Sequence, residues 1–184
     1  MTDKAGYKFI VRPGSEQDYA SCIALDHSST GDYVWQVEVQ ETPANITYNF
    51  RTVRLPRTMT IVFPQDSQAL LAAWPTRDCY LVAENEAGIC GYTSVQVDSF
   101  LGICWIRELV VARGVRRRRI GSALLQEVAK WSKANGFKRI TTETQTKNYA
   151  AIAFCQRHGL VFCGFNDRYY PNQDIAVFFT LSIR

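Results

Sequence analysis

The segment from residue 103 to residue 143 constrains the fold more than any other part of this chain. Ile103–Val111 is a mainly apolar segment with the length of a β-strand, and residues 137–143 are a second predicted strand. Between them, apolar residues recur at helical spacing from Ile120 to Trp131. A strand, a helix and a strand in this order favour a right-handed crossover that joins two parallel strands.

The other periodic segments predict mainly antiparallel pairing. Residues 33–40 and 46–55 alternate apolar and polar positions and predict a pair joined around Pro43-Ala44. Residues 79–84 and 89–97 predict a hairpin that turns at 85–88. Further strands are expected at 7–11, 160–165 and 174–183, with helices at 15–25, 65–74 and 148–158. We therefore predict an α+β fold, with a central mixed, mostly antiparallel sheet of six to seven strands and helices on both faces.

Composition sets the size and class of the molecule. The chain has 184 residues, of which 47% are hydrophobic and 21% charged, so it can bury a full core. No linker divides it, and residues 1–184 are expected to form a single domain. No apolar run approaches the roughly 18 residues of a membrane span, and the first 18 residues lack a signal-peptide core. We expect a cytoplasmic protein with no membrane partner.

The six cysteines favour packing over metal binding or disulfide formation. Most lie inside apolar stretches, where a free thiol packs as a small hydrophobic group. There is no Cys-x-x-Cys pair, and the two histidines, His27 and His158, lie far apart in the sequence. No metal site is expected.

The positive charge is concentrated at one place. Arg113 and Arg116–Arg119 are five of the 21 basic residues, and setting them aside leaves 16 basic against 17 acidic residues. A single cationic spot suits a compact anion better than the long phosphate track of a nucleic acid. We therefore expect a phosphate-bearing ligand and no nucleic-acid partner.

The position of the arginines explains how such an anion would be held. They lie between a predicted strand and the first turn of a helix, where unpaired N–H groups and the helix dipole attract negative charge. Gly121 would allow a diphosphate to approach closely, and Ser122 would add a hydroxyl donor. A solvated run of charges and a nucleic-acid patch are the two alternatives.

At this point the chain resembles a known family. Arg116–Gly121 resembles the Q/R-x-x-G-x-G/A signature of the GNAT superfamily of N-acetyltransferases, and N-x-x-A-x-x-F at 148–154 extends the resemblance. The segments ALD at 24–26, Phe63-Pro64, ETQTKN at 143–148, D-R-Y-Y and DIAVFF are similar to the streptothricin acetyltransferase branch. One position departs from the signature, because Arg119 stands where the family has its first glycine.

The resemblance implies acetyl-CoA as co-substrate, bound by a core at 103–158. The pantetheine arm would lie along one strand, and an amide side chain would bond this arm. The phosphates would lie against the loop at 113–119, which we call the arginine loop. The residues concerned are Leu109, Val110, Val111, Arg116, Arg117, Arg118, Arg119, Ile120, Gly121, Ser122 and Asn148.

The resemblance also implies direct transfer of the acetyl group to an amine. An alkylammonium has a pKa near roughly 10.4 and must lose a proton before it attacks. Glu108 is the first candidate for the general base, and Glu143 is the second, or an anchor for the substrate ammonium. The oxyanion would be held by the N–H of Val110 or Val111. Cys155 stands where the family often has a tyrosine, and it is open whether it acts as an acid, acts as a nucleophile or packs.

The acceptor is expected to bind beside an elaboration at 26–64. Its candidate contacts are Asp26, Asp32, Trp35, Glu38 and Tyr170, which are acidic or aromatic groups suited to a cationic amine. The branch resemblance implies a small-molecule acceptor, the β-lysine amine of streptothricin. Alternatives are a peptide or polyamine N-acetyltransferase, and a non-catalytic module that binds coenzyme A or nucleic acid. The superfamily often pairs its subunits, so a homodimer is one of the open oligomeric states.

Overall fold

The computed structural model describes residues 7–62 and 66–183. Within these residues the chain forms nine β-strands and four α-helices. The Phe63-Pro64 step and the expected start of a helix at residue 65 lie outside the described residues.

The elements follow one another along the chain with short connections. The strands are β1 (Ile10–Pro13), β2 (Ser29–Thr42), β3 (Asn45–Ile61), β4 (Cys79–Asn85), β5 (Gly88–Asp98), β6 (Ile103–Val111), β7 (Arg139–Gln145), β8 (Val161–Asn166) and β9 (Ala176–Ser182). The helices are α1 (Tyr19–Ile23), α2 (Ser67–Ala73), α3 (Ile120–Ala134) and α4 (Tyr149–Arg157).

Seven strands form the main sheet in the order β1-β4-β5-β6-β7-β9-β8, and β2 and β3 form a separate two-stranded ribbon. The pairs from β1 to β6 are antiparallel, whereas β6 and β7 run parallel. The sheet is mostly antiparallel, and the predicted mixed α+β fold is confirmed. The parallel pair on either side of α3 confirms the strand, helix and strand order predicted for 103–143.

The described residues divide into two compact units. Of the described residues, the first unit contains 7–27, 66–143 and 179–183, and the second contains 28–62 and 144–178. Strands β7 and β9 each continue from one unit into the other. The predicted elaboration at 26–64 falls almost entirely in the second unit, and its role on the acceptor side stays a prediction.

In the first unit, α3 packs on β4, β5 and β6. Its buried residues, among them Ile120, Leu124 and Val128, recur at helical spacing and contribute about 2 kcal/mol each. The close approach depends on Gly91 of β5, because a Cβ at that position would lie 2.8 Å from the carbonyl oxygen of Val110 and 3.2 Å from Ile120. The missing side chain therefore sets how closely β6 and the start of α3 pack against β5.

In the second unit, the ribbon of β2 and β3 turns at Pro43-Ala44, as predicted. Both strands are longer than the predicted 33–40 and 46–55, because cross-strand pairing continues to Ser29 and Ile61. The ribbon carries aromatic contacts to β8. Trp35 lies 6.0 Å from Phe50 and 5.8 Å from Phe162, measured between ring centroids.

The predicted bounds of several elements differ from the observed ones. The helix expected at 15–25 is a short 3-10 turn over Glu16–Asp18 followed by α1, which ends at Ile23. The strand expected at 137–143 begins two residues later, because Gly136 has a φ of +79° and redirects the chain after α3. Strand ends and helix ends depend on tertiary pairing, which local periodicity does not encode.

Five of the six cysteines are buried and Cys163 is exposed, so the packing role predicted for most of them is confirmed. None of the helices in the described ranges has the length and apolar character that a membrane crossing requires.

Candidate active site

The arginine loop joins the end of β6 to the start of α3, and one of its side chains holds it in place. Arg116 donates from Nε to the carbonyl oxygen of Val111 at 3.0 Å and from Nη2 to the carbonyl oxygen of Asp26 at 2.9 Å. Arg113 lies 3.5 Å from the Asp26 carboxylate. These contacts place Asp26, a predicted acceptor residue, against the arginine loop.

The backbone of the loop adopts left-handed conformations at two arginines. Arg117 has a φ of +68° and Arg119 a φ of +61°. Such values suit glycine, since a Cβ is crowded there at a cost of about 1–2 kcal/mol. Arg119, which stands where the signature has a glycine, therefore takes a backbone conformation that a glycine would adopt without strain.

The first turn of α3 directs backbone donors toward the loop. The first intrahelical bond runs from Ala123 N–H to the carbonyl oxygen of Arg119 at 3.0 Å, which makes Arg119 the N-cap. The four N–H groups that precede it, those of residues 119–122, have no carbonyl one helical turn back to bond. Arg117, Arg118 and Arg119 are exposed and surround these donors with positive charge. The arrangement fits a diphosphate.

The arginine loop also contacts the start of the chain's described part. The guanidinium of Arg118 lies 6.0 Å from the ring centroid of Tyr7, within the range of a cation–π contact. The Tyr7 hydroxyl accepts a hydrogen bond from Asn85 at 2.5 Å.

Strand β6 pairs with β7 over only its first part, and the pantetheine arm is expected beside the remaining part. Its parallel pairing with β7 covers Ile103–Ile106 opposite Arg139–Thr142. On the other side, Ala112 N–H bonds the carbonyl oxygen of Cys90 at 2.9 Å. N–H directions alternate along an antiparallel strand, so Val110 also points toward β5, whereas Leu109 and Val111 point to the opposite edge. Of the two candidate oxyanion donors, Val111 therefore has the available orientation.

Glu108 lies in a closed ion pair. Its side chain is fully buried, with Arg77 Nη2 3.0 Å from Oε1, and Ser94 Oγ donates to Oε2. Arg77 is itself 94% buried and also donates to Gln96 at 3.2 Å. Both carboxylate oxygens are thus occupied by protein donors, and removal of one partner would leave an uncompensated buried charge.

Glu143 differs from Glu108 in how many of its carboxylate oxygens are hydrogen-bonded within the described residues. Its side chain is 12% exposed, and Oε1 lies 3.4 Å from Arg107 Nη1. Oε2 is buried and has no hydrogen-bond partner among the described residues. Burial raises the pKa of Glu143 above its ordinary value, and Glu108 also raises it, whereas Arg107 partly opposes this shift. A carboxylate of this kind is suited to accept a proton.

The two predicted residues on α4 have different surroundings. Asn148 caps α4, since its Oδ1 accepts from Ala151 N–H at 3.2 Å, and it also accepts from Ser29 Oγ at 3.2 Å. Cys155 is 4% exposed, and burial raises its thiol pKa to about 12. Burial therefore disfavours the thiolate at neutral pH, which argues against a nucleophilic role and favours packing.

The acceptor candidates in the second unit are already engaged with other side chains. Asp32 accepts a hydrogen bond from Thr58 at 2.6 Å, and Glu38 lies 2.6 Å from Arg51. Trp35 packs within the aromatic contacts of the ribbon. Tyr170 is half-buried and contacts Tyr169 edge to face at 5.1 Å.

Several residues near the carboxylates escaped the sequence analysis. Ser94 stands opposite Glu108 in the β5–β6 register, so the predicted hairpin and the next strand could have indicated it. No sequence pattern indicated that Arg77 and Arg107 would lie beside the carboxylates. A further pair, His27 Nε2 and Tyr92 hydroxyl at 2.9 Å, joins residues 65 positions apart.

The comparisons with known proteins agree with this geometry. Residues 49–160 match the profile of the acetyltransferase (GNAT) family. Streptothricin acetyltransferase A of Bacillus subtilis is 31% identical over 81 residues, which are 42% of this chain and 47% of that protein. The chain thus spans about half the length of that relative. Streptothricin acetyltransferase of Streptomyces lavendulae is 23% identical over 175 residues, covering 92% of this chain and 90% of the relative.

A solved structure shares the complete fold. The crystal structure of nourseothricin acetyltransferase superposes with a TM-score of 0.82 at 23% identity, covering 97% of this chain and all of the other. The family profile covers more than half of the chain and includes the arginine loop and α3. The chain therefore belongs to the GNAT family of acetyltransferases, enzymes whose co-substrate is acetyl-CoA.

Proposed function

We propose that this enzyme transfers the acetyl group of acetyl-CoA to a primary amine of a small molecule by direct attack. The observation that carries the proposal is the arginine loop, in which Arg119, at the position of the signature glycine, adopts a left-handed conformation at the N-terminus of α3. This backbone supports binding of the coenzyme diphosphate, with Arg117 and Arg118 supplying charge.

We assign the general base to Glu143 in preference to Glu108. Both oxygens of Glu108 accept hydrogen bonds from Arg77 and Ser94, whereas Glu143 has an oxygen without a described partner. Glu143 would take a proton from the acceptor ammonium, either directly or through one water. Glu108 then keeps Arg77 neutralised and adds negative potential that raises the pKa of Glu143.

The chemical step balances without a covalent enzyme intermediate. The neutral amine attacks the thioester carbonyl carbon, and the oxyanion accepts a hydrogen bond from Val111 N–H. The carbon–sulfur bond then breaks, the attacking nitrogen loses its remaining extra proton to solvent to give the neutral amide, and coenzyme A leaves as a thiolate, which takes a proton from solvent. This assignment leaves Cys155 as a packing residue.

We propose a streptothricin-type antibiotic as the acceptor, acetylated on its β-lysine amine. The names of the two curated relatives and the fold shared with nourseothricin acetyltransferase support this choice. The aromatic groups Trp35 and Tyr170 and the acidic groups Asp32 and Glu38 are retained as proposed acceptor contacts, and Asn148 as the proposed contact of the pantetheine arm. The cytoplasm supplies acetyl-CoA and is the proposed site of action.

The test is release of coenzyme A thiol from acetyl-CoA in the presence of streptothricin, a polyamine or a short peptide. We expect release that depends on streptothricin. Gly121→Glu is the control, because a carboxylate in the first turn of α3 would repel the diphosphate. Release with peptides or polyamines alone would reject the antibiotic acceptor and retain the acetyltransferase chemistry. Failure of acetyl-CoA to raise the melting temperature would contradict the proposed coenzyme site.

A further inference from the structure

A buried carboxylate in the second unit joins two separate segments of the chain. Asp174, which immediately precedes the Ile175 that leads into β9, is 9% exposed. Its Oδ2 accepts from Gln145 Nε2 at 2.7 Å and from Asn172 Nδ2 at 2.9 Å, and its Oδ1 accepts from Lys147 Nζ. We call these four residues the Asp174 cluster. They come from the ETQTKN and DIAVFF segments and from the loop between β8 and β9.

On one side, the Asp174 cluster fixes the turn that begins α4. Gln145 and Lys147 flank this turn, and Asn148 N–H bonds the carbonyl oxygen of Gln145 at 2.9 Å. The intervening Thr146 N–H bonds the carbonyl oxygen of Ile175 at 3.1 Å. The position of the Asn148 side chain, which caps α4, therefore depends on a turn held at both ends.

On the other side, the Asp174 cluster fixes the loop that carries Tyr170. Asp174 N–H bonds Oδ1 of Asn172 at 3.1 Å, and Tyr170 N–H bonds the carbonyl oxygen of Asp174 at 3.4 Å. Gln173 N–H returns to the carbonyl oxygen of Tyr170 at 2.7 Å, with Gln173 in a left-handed conformation at a φ of +62°. The turn is closed by these bonds and held by the carboxylate.

A buried charge is a costly way to obtain stability alone. The free energy gained from the paired cation and from the hydrogen bonds to both oxygens is about equal to the free energy lost when the carboxylate leaves water. A protein with apolar residues of similar size in place of such a pair is often equally stable. The charged cluster fixes the relative orientation of the segments it joins, because each donor must bond a defined carboxylate oxygen. In this molecule the directed bonds lead to Asn148 and to Tyr170, two residues with proposed ligand contacts.

We infer that Asp174 is a positioning residue, which holds the Asn148 turn and the Tyr170 loop together in the geometry that the enzyme uses. The inference rests on the proposed function for the ligands of those two residues. It implies that loss of the carboxylate weakens the binding of acetyl-CoA and of the acceptor together, although Asp174 belongs to neither proposed contact set.

The first experiment follows amide hydrogen exchange in the full chain without ligand. Asp174→Asn keeps the size and one oxygen acceptor but removes the charge that Lys147 and Gln145 bond. We expect faster exchange at residues 146–151 and at 170–175 together. Asp167→Asn is the matched control, since Asp167 is an exposed aspartate in the same loop whose nearest cation, Arg168, lies at 4.0 Å. Faster exchange in one segment alone would overturn the inference.

The second experiment uses steady-state kinetics well below the melting temperature, with the acceptor that supports turnover. We expect Asp174→Asn to raise the KM for acetyl-CoA and the KM for the acceptor about tenfold. Lys147→Met should raise both KM values less, and Lys147→Arg, which keeps the positive charge, should leave them near the wild-type values. Unchanged KM values with a lower melting temperature would reduce Asp174 to a structural residue. If the wild-type chain binds no acetyl-CoA, the proposed function fails, while the exchange experiment still decides whether Asp174 couples the two segments.

Discussion

At the scale of single residues, the two carboxylates proposed for catalysis differ in what occupies their oxygens. Sequence position favoured Glu108, which precedes the strand expected to bind the coenzyme. The tertiary structure places Arg77 and Ser94 on Glu108 and leaves one oxygen of Glu143 without a described partner. A base needs a lone pair that is free to accept the proton, so the assignment moves to Glu143.

Replacing Glu143 by glutamine should separate activity from stability. We expect Glu143→Gln to lower kcat by about 100-fold or more while acetyl-CoA affinity is retained. Because burial raises the pKa of Glu143, the folded protein binds more protons than the unfolded chain above pH 4.5. Its stability therefore falls as pH rises through the folded pKa, and the amide should be neutral or stabilising at pH 7.

The measurements are the pH–rate profile and denaturant unfolding, with the exposed Glu86→Gln as control. Wild-type activity should rise with pH through an apparent pKa above that of an ordinary glutamate. Full activity in Glu143→Gln would return the base to Glu108. Glu108→Gln is less informative by itself, because it leaves Arg77 buried without its counter-charge.

Arg119 offers a test of backbone strain at one position. Arg119→Gly should raise the free energy of unfolding by up to about 1 kcal/mol, because relief of the left-handed strain exceeds the entropy that glycine adds to the unfolded chain. Arg119→Ala, which keeps the Cβ and removes the charge, should give no such gain in denaturant unfolding. A glycine variant less stable than the alanine variant would show that the φ of +61° carries no strain.

At the scale of elements, β5, β6 and α3 form the support of the arginine loop. Gly91 allows close contact among them, since a Cβ at this position would lie 2.8 Å from the carbonyl oxygen of Val110. Ile120 packs over the same position and is 1% exposed. The start of α3, and with it the N–H groups of its first turn, is thus placed by packing on β5.

Gly91→Ala should therefore affect both stability and coenzyme binding. We expect a loss of about 1–3 kcal/mol in unfolding free energy, since an added methyl group must displace backbone. Affinity for acetyl-CoA, measured by calorimetry, should fall because the start of α3 shifts. Gly114→Ala is the control for stability and should change it by less than about 0.5 kcal/mol, because a Cβ there meets nothing within 4 Å. Equal effects of the two variants would contradict the packing account.

At the scale of the whole molecule, ionic contacts join segments that are distant in sequence. Arg12 of β1 bonds Asp18 at 2.8 Å and Glu84 of β4 at 2.7 Å. Asp18 also accepts from Ser15 N–H at 2.8 Å. These contacts hold the first strand and the turn that precedes α1 on the neighbouring strand.

This ionic contact predicts a specific acid sensitivity. Hydrogen bonding to Arg12 lowers the pKa of Asp18 from 3.8 to about 2, so its contribution is complete above pH 3.8 and is lost as pH falls through about 2. Asp18→Asn should cost about 1–2 kcal/mol at pH 7, allowing for partial exposure of Arg12. Urea unfolding at several pH values should show this difference shrinking between pH 4 and pH 2. A difference that stays constant across this range would exclude the charge as its source.

The sequence by itself determined the element order and the loop chemistry. Periodicity predicted the β2–β3 ribbon, the β4–β5 hairpin and the β6–α3–β7 crossover, because apolar spacing follows directly from which face of an element is buried. The arginine signature predicted the family for a similar reason, since a loop that binds phosphate through its backbone needs a short contiguous segment.

Only the tertiary structure decided which side chains are free to act. Glu108 and Glu143 are equivalent by residue type, and their difference arises from Arg77, Ser94 and Arg107, which arrive from other elements. The pairing of Asp174 with Lys147 across 27 positions has the same origin. The residue type decides which hydrogen bonds a side chain can donate or accept. Its burial and its partners depend on the packing of distant segments, and burial and partners together decide its charge and its role.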